Sequence, residues 1–229
     1  MYSVLCTLYL VRHGRKEQGI DMTINKDDLL NSILESLDRI RHIEVEDIPN
    51  IDLYMDQVTT FMDEKLKNSL RNPGEDKILT KTMINNYAKN NLLPPPVKKK
   101  YSREQVILLI FIYYYKGILS INDIQTLLNP LTDRFFQKEG FDLTDIYTEV
   151  FSLEEENVNR LKEDVIRKFQ DAQATFQYAP EKEKDFLQFF SLICTLSFDV
   201  YVKKLLIEKM LDEFKPATDK KKQESRTEK

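Results

Sequence analysis

The chain has 229 residues, of which 41% are hydrophobic and 31% charged, and its net charge is −4 at pH 7. This composition supplies enough apolar side chains for a core, so a wholly disordered protein is excluded. Five glycines, two cysteines and two histidines argue against a glycine-rich phosphate loop, a disulfide framework and a structural zinc site. We therefore expect no metal, no cofactor and a reducing, cytoplasmic location. The most apolar run, 106–115, has about half the length of a membrane-spanning helix, so we expect no membrane partner.

The first 21 residues are predicted to lie outside the fold. Residues 10–14, Leu-Val-Arg-His-Gly, resemble the Arg-His-Gly turn of the histidine phosphatase superfamily, whose chemistry needs a second histidine in the phosphate pocket. The only other histidine is His42, in a stretch predicted as helical, and the alternating strands and helices of that fold are missing. Residues 15–17 can also be encoded by a bacterial ribosome-binding sequence. We predict a non-native or disordered leader over 1–21 and no enzyme, and leave open whether translation starts at Met1 or Met22.

The rest of the chain is predicted to be helical. Apolar residues recur at helical spacing in five segments before Pro130. These predicted helices are 27–41, 53–70, 80–90, 102–116 and 120–128. Ser102 and Ser120 are good N-caps, Asn129-Pro130 is expected to end the fifth helix, and the three prolines at 94–96 predict an extended segment.

Two longer helices are predicted after Pro130, over 153–176 and 181–214, and residues 215–229 are expected to be a disordered polar tail. The first has an apolar stripe at helical spacing: Val158, Leu161, Val165, Phe169, Ala172 and Phe176. The second is expected to turn these residues inward: Phe186, Phe189, Phe190, Ile193, Leu196, Val200, Leu205 and Leu206. Cys194 is expected to be a small core residue. The predicted domains are 22–130 and 131–214.

Positive charge is concentrated in one segment of an otherwise acidic chain. Seven of the 34 lysines and arginines lie between Lys77 and Arg103, and none of the 38 aspartates and glutamates does. A local excess of this kind indicates contact with a polyanion, although a charge run alone is more often a solvated surface.

The helix predicted over 80–90 carries part of this charge on one face. At 100° per residue, one side holds Thr80, Met83, Ile84, Tyr87, Ala88 and Asn91. The opposite side holds Lys81, Thr82, Asn85, Asn86 and Lys89. Lysine binds phosphates and guanine edges, and asparagine can bind adenine in a bidentate manner, so this face suits the major groove of DNA. The following residues would hold phosphates beside it: Lys98, Lys99, Lys100, Tyr101 and Arg103.

Several motifs in this region occur in a familiar order. Residues 82–96 read TMINNYAKNNLLPPP, followed by Lys-Tyr-Ser at 100–102 and GILSINDI at 117–124. This order resembles the winged-helix domain of MerR-type transcriptional regulators over about 79–128. In that resemblance Ile84 matches the buried Leu of the recognition helix, and Tyr87 matches the second Tyr of its motif. Asn85 and Asn86 stand where that family has Arg and Tyr, so the resemblance does not fix the sequence preference.

Residues 22–215, including IDLYMDQVT at 51–59, resemble more closely an uncharacterised bacterial family, the domain of unknown function 1836. That family is similar to MerR-type domains and has no assigned activity. We therefore predict an all-α protein with a MerR-like winged helix-turn-helix domain and a helical C-terminal region with two long helices.

The predicted function is sequence-specific binding of double-stranded DNA and control of transcription, as a homodimer, with an unidentified small-molecule effector. The alternative is a helical protein-interaction module with a relic winged helix and no DNA binding.

Overall fold

The computed structural model describes residues 25–38, 41–70 and 78–214. The predicted leader, with Arg12 and His13, and the predicted tail over 215–229 lie outside the described residues. The described part is mostly helical, as predicted. Its helices are α1 (Lys26–Asp38), α2 (Met55–Leu66), α3 (Lys81–Lys89), α4 (Arg103–Tyr115), α5 (Ile121–Phe135), α6 (Leu143–Phe151), α7 (Glu154–Gln173) and α8 (Glu181–Phe214). Two short strands, β1 (Leu53–Tyr54) and β2 (Lys100–Tyr101), pair antiparallel, with Leu53 opposite Tyr101.

The described residues form two compact units. One unit contains α1, α7 and α8 as far as Tyr201, and the other contains residues 42–153 together with the rest of α8. The boundary between two domains that the sequence places at residue 130 stays a prediction.

The core of the unit that contains 42–153 is built around α4. Every residue from Val106 to Ile112 is at most 3% exposed, because this stretch is apolar on all sides and must be surrounded by other elements. Buried residues of α2, α3, α5 and α6 pack into the same core. Tyr113, Tyr114 and Tyr115 lie partly buried against it.

Hydroxyl and carboxylate side chains cap the helices of this unit. Thr80 accepts a hydrogen bond from the backbone of Met83 at 3.2 Å, and Ser120 accepts one from Asp123 at 3.2 Å. Ser102 and Gln105 form a capping box at the start of α4. These caps satisfy backbone N–H groups that have no partner within the helix. The N-caps predicted at Ser102 and Ser120 are confirmed.

The predicted helix end at Pro130 is wrong. Pro130 lies inside α5, which continues to Phe135. Proline removes one backbone hydrogen bond, but Leu131 and Phe135 beyond it pack against the core, and this burial favours continuing the helix. Helix α6 was not predicted from the sequence. Asp142 caps it by accepting a hydrogen bond from the backbone of Thr144 at 2.7 Å.

The other unit is held by apolar packing and ion pairs between its helices. Phe169 and Ala172 of α7 pack against Leu192 of α8. Lys168 forms ion pairs with Asp164 and with Asp199. These contacts hold the pKa of Lys168 above and that of Asp164 below their usual values, since each charge stabilises the other.

Several side chains predicted to be buried in α7, α8 and the connection between them are exposed. Leu161 and Phe176 lie outside the buried part of the α7 stripe, and Cys194 is exposed. The exposed residues of α8 that were expected inward are Phe186, Phe190, Ile193, Val200, Leu205 and Leu206. Apolar residues occur on nearly every side of α8, so periodicity could not identify its buried face. Among the described residues, no helix combines the length and apolar character needed to cross a membrane.

Candidate nucleic-acid interface

Helix α3 has a defined beginning and a defined end. The cap at Thr80 fixes its start. At its end, Asn91 adopts a positive φ of 54°. The N–H of Leu92 donates to the carbonyl of Tyr87 at 2.9 Å, and the N–H of Asn91 donates to the carbonyl of Ala88 at 3.2 Å. This pair of bonds is a Schellman motif, in which asparagine is among the few side chains that tolerate the left-handed position. It redirects the chain immediately into the buried pair Leu92 and Leu93.

The two faces of α3 separate as the helical wheel predicts. Ile84 and Tyr87 are buried at 0% and 6% exposure, so this side fixes the helix to the core. All five predicted groove residues on the opposite side are exposed. They are Lys81, Thr82, Asn85, Asn86 and Lys89. The outward face of α3 therefore carries amide, hydroxyl and ammonium groups and no carboxylate.

A tight hairpin follows, with two lysines at its tip. Val97 and Lys100 exchange backbone hydrogen bonds of 3.1 Å and 2.9 Å. The two residues between them, Lys98 and Lys99, have φ values of 51° and 65°. Positive φ at both central residues is the signature of a type I′ turn, which strongly favours Asn-Gly. Two lysines therefore occupy a strained backbone conformation.

The prolines between α3 and the hairpin are held by Gln105. This side chain is 2% exposed, and its Nε2 donates to the carbonyls of Pro94 at 2.8 Å and Pro95 at 3.2 Å. Its Oε1 accepts from the N–H of Ser102 at 2.8 Å. Since Gln105 lies in the buried stretch of α4, it fixes the extended segment, which leads into the hairpin, to the core.

Three further cations of the basic segment are already engaged. Lys81 forms an ion pair with Asp56 of α2, and the ammonium of Lys100 lies 5.0 Å from the ring centre of Tyr54. The Nη2 of Arg103 donates to the carbonyl of Val45 at 2.5 Å. These contacts link α3, the hairpin and α4 to residues 45–56, and they reduce the capacity of all three cations to bind a ligand.

Tyr101, predicted to hold a phosphate, is a core residue. Its side chain is 2% exposed, and burial raises the pKa of its hydroxyl. Alternation along β2 places Lys100 toward the surface and therefore Tyr101 toward the core. Tyr101 is consequently not a surface group available to phosphates, which corrects its prediction. Arg103 is half-buried with one guanidinium nitrogen already bound, and its contact with phosphate stays a prediction.

Three of the basic segment's cations that the structure describes have no ion-pair partner. Lys89, Lys98 and Lys99 are exposed and form no ion pair with any residue that the structure describes. Residues 78–103 also contain no Asp or Glu, so no acid within this segment competes for them. These three lysines can therefore attract a long anion whose charges are spread along its length. They do not form a pocket that would enclose a small anion.

Some residues that position this surface could not be identified from the sequence pattern. Besides Gln105, the side chain of Gln125 on α5 donates to the carbonyl of Asn90 at the end of α3, and Lys116 donates to the carbonyl of Ile78. A polar residue within an apolar helix, as Gln105 is, would have been the available signal, since buried polar groups require partners. Within the described ranges, no group of His, Cys, Asp or Glu is arranged to hold a metal ion.

Residues 43–150 match the family described as "Domain of unknown function (DUF1836)". The matched segment contains the core around α4, helix α3 and the lysine hairpin. No curated protein and no solved structure matches the chain.

Proposed function

We propose that the protein binds double-stranded DNA as a winged-helix transcriptional regulator of MerR-like type. Helices α2 and α3 would be the helix-turn-helix pair, α3 the recognition helix in the major groove, and the 97–100 hairpin the wing. Supporting this assignment, α2 contacts both α3 and the β1–β2 ladder. The two helices and the wing would therefore act as one rigid part.

The hairpin tip is the observation that carries the proposal. Lys98 and Lys99 stand where a turn of this kind favours asparagine and glycine. Backbone strain of this kind is often found at functional sites, and phosphate binding would give the two charges a role that offsets the strain. We assign phosphate contact to Lys98 and Lys99 and leave Tyr101 out of the interface.

The groove contacts are assigned to the exposed face of α3. Asn85 and Asn86 would bind base edges, since an asparagine amide can donate to and accept from adenine together. Thr82 can contact bases or phosphates, and Lys89 carries the free charge of this face. Lys81 and Lys100 are placed at the edge of the interface, because their partners Asp56 and Tyr54 must be exchanged for phosphates.

The test is retention of genomic DNA by the full chain, followed by sequencing of what is bound at two salt concentrations. Enrichment of a few short sites supports the proposal, and the predicted homodimer would make those sites palindromic. Lys98→Glu should weaken binding to all sequences, whereas Asn85→Ala should change the preference among sequences. Lys182→Glu, which changes another exposed cation, on α8, is the matched control and should leave retention unchanged.

A second candidate function is protein binding without DNA, which the exposed apolar residues of α8 favour. The two candidates differ in their response to salt. DNA affinity should fall with a log–log slope of about −0.9 for each phosphate contacted, whereas binding through apolar side chains should tolerate salt. Absence of any enriched site, with retention that Lys98→Glu does not alter, would contradict DNA binding. A small-molecule effector stays a prediction from the sequence.

A further inference from the structure

One side of α8 between residues 186 and 201 is apolar, uncharged and exposed. Six large side chains on it are each 44–66% exposed. They are Phe186, Phe190, Ile193, Phe198, Val200 and Tyr201. At 100° per residue these positions fall within about 160° of the helix circumference, with Leu187, Cys194 and Ser197 between them. We call these nine residues the α8 face.

The opposite side of the same helix makes the contacts within the unit. Leu192 is buried against α7, and Gln188 is buried with its Nε2 donating to the carbonyl of Gln173 at 2.7 Å. Asp199, the only charged residue from 186 to 201, is on this inner side and pairs with Lys168. The α8 face is therefore not required for the packing of α7 on α8.

The exposed area is close to what a stable dimer needs. An aromatic side chain buries about 150–250 Å² when fully covered, so six large side chains about half exposed present on the order of 600 Å². Soluble monomers rarely expose larger continuous apolar patches. A standard interface buries about 800 Å² on each partner, which the α8 face and its margins can supply.

We propose that the α8 face binds the α8 face of a second copy of this chain across a two-fold axis. A surface without charge is best covered by another surface without charge, since any charged partner group would lose its water without gaining a counter-charge. A two-fold dimer meets this condition because it places one surface against itself. This dimer is the one that the proposed function uses, but its formation does not depend on DNA binding.

The proposal places the two copies of Cys194 near each other. Residues 193 and 194 are at the middle of the face, which is next to the axis if the paired helices run antiparallel. If the helices run parallel about the axis, every residue is opposite its own copy. Cys194 is exposed, so in either arrangement a short bismaleimide should join the two chains.

The test measures the mass of the full chain in solution without DNA, under reducing conditions. We expect twice the chain mass of 27.1 kDa. Phe190→Glu and, separately, Ile193→Glu should raise the dissociation constant about thirtyfold or more, the effect of losing a central interface residue. Leu161→Glu is the matched control, because Leu161 is 39% exposed on α7 and outside the face. Both positions in α8 are exposed, and circular dichroism checks that the variants keep their helical content.

Crosslinking supplies a second, independent readout. In a Cys6→Ser background, Cys194 should give a crosslinked dimer at a yield that Phe190→Glu reduces at least tenfold. A Leu161→Cys variant that also lacks Cys6 and Cys194 should give none. A chain that is monomeric at all accessible concentrations overturns the proposal. A dimer that survives both glutamate substitutions and does not crosslink through Cys194 also overturns it, since another surface would then hold the copies together.

Discussion

Replacing the two lysines at the hairpin tip should stabilise the protein and weaken its binding to DNA. Lys98→Asn together with Lys99→Gly restores the residues that a type I′ turn favours. A left-handed backbone costs an ordinary residue about 1–2 kcal/mol. The greater conformational freedom of glycine in the unfolded chain reduces this gain in stability by about 0.5–1 kcal/mol. We therefore expect the free energy of unfolding to rise by about 1–2 kcal/mol.

The effect on DNA binding follows from the number of phosphates released. If each lysine contacts one phosphate, the log–log slope of affinity against salt should become less steep by about 1.8. At 0.15 M salt this corresponds to about a thirtyfold weaker affinity, because each lost contact forgoes the release of nearly one counterion. Lys98→Gln with Lys99→Gln is the matched control. It removes the same charges but keeps the strained turn, so affinity should fall without a gain in stability.

Two measurements check this reasoning. Urea unfolding followed by circular dichroism gives the stability difference, and fluorescence anisotropy of labelled genomic duplexes at several salt concentrations gives the slope. If the Lys98→Asn, Lys99→Gly variant has no higher free energy of unfolding than the unaltered chain, the left-handed turn is refuted. Unchanged affinity in both double variants would refute phosphate contact at the tip, while leaving the turn geometry intact.

Three other substitutions test contacts within the two units. Gln105→Leu leaves two proline carbonyls without their buried donor and should lower stability by about 2–3 kcal/mol in urea unfolding; an unchanged midpoint would contradict the contact. Pro130→Ala restores a backbone donor inside α5 and should raise stability by about 1 kcal/mol, and a loss would show that the helix depends on the proline. Because the pKa of Asp164 is depressed below its ordinary 3.8, its stabilising ion pairs are intact above that pH and are lost as the pH falls through the depressed value. Thermal melts of Lys168→Gln should therefore show a smaller loss of stability below pH 3.8 than the unaltered chain, and equal losses would contradict the assignment.

Local features of the fold could be predicted from the sequence because they depend on neighbouring residues. Ser102 and Ser120 cap their helices as predicted, since a cap requires only a side-chain oxygen and free N–H groups two or three residues away. The faces of α3 were also predictable, because its polar and apolar residues separate cleanly. Helix α8 has the predicted bounds, Glu181–Phe214.

Features decided by distant contacts could not be predicted in this way. The sequence around Pro130 predicted a helix end because proline is a local helix breaker. The helix continues because Phe135 packs against other elements, and that contact is not visible in the local sequence. Tyr101 was assigned to phosphates from its neighbours in sequence, whereas its pairing opposite Leu53 in the β1–β2 ladder directs it to the core. The engagement of Arg103 by the Val45 carbonyl joins residues 58 positions apart, and no local pattern contains that information.

The burial of α4 has a consequence for how the chain reaches its folded state. Residues 106–115, VILLIFIYYY, are uncharged, rich in β-branched and aromatic residues and free of proline, which is the composition of segments that assemble into cross-β aggregates. In the folded protein this segment is protected because four helices pack around it. Its only nearby charges are the flanking Arg103, Glu104 and Lys116, positions at which charged gatekeepers oppose strand stacking. The yield of refolding from denaturant should consequently fall as the protein concentration rises. The longer the α4 segment stays exposed during folding, the more steeply the yield should fall.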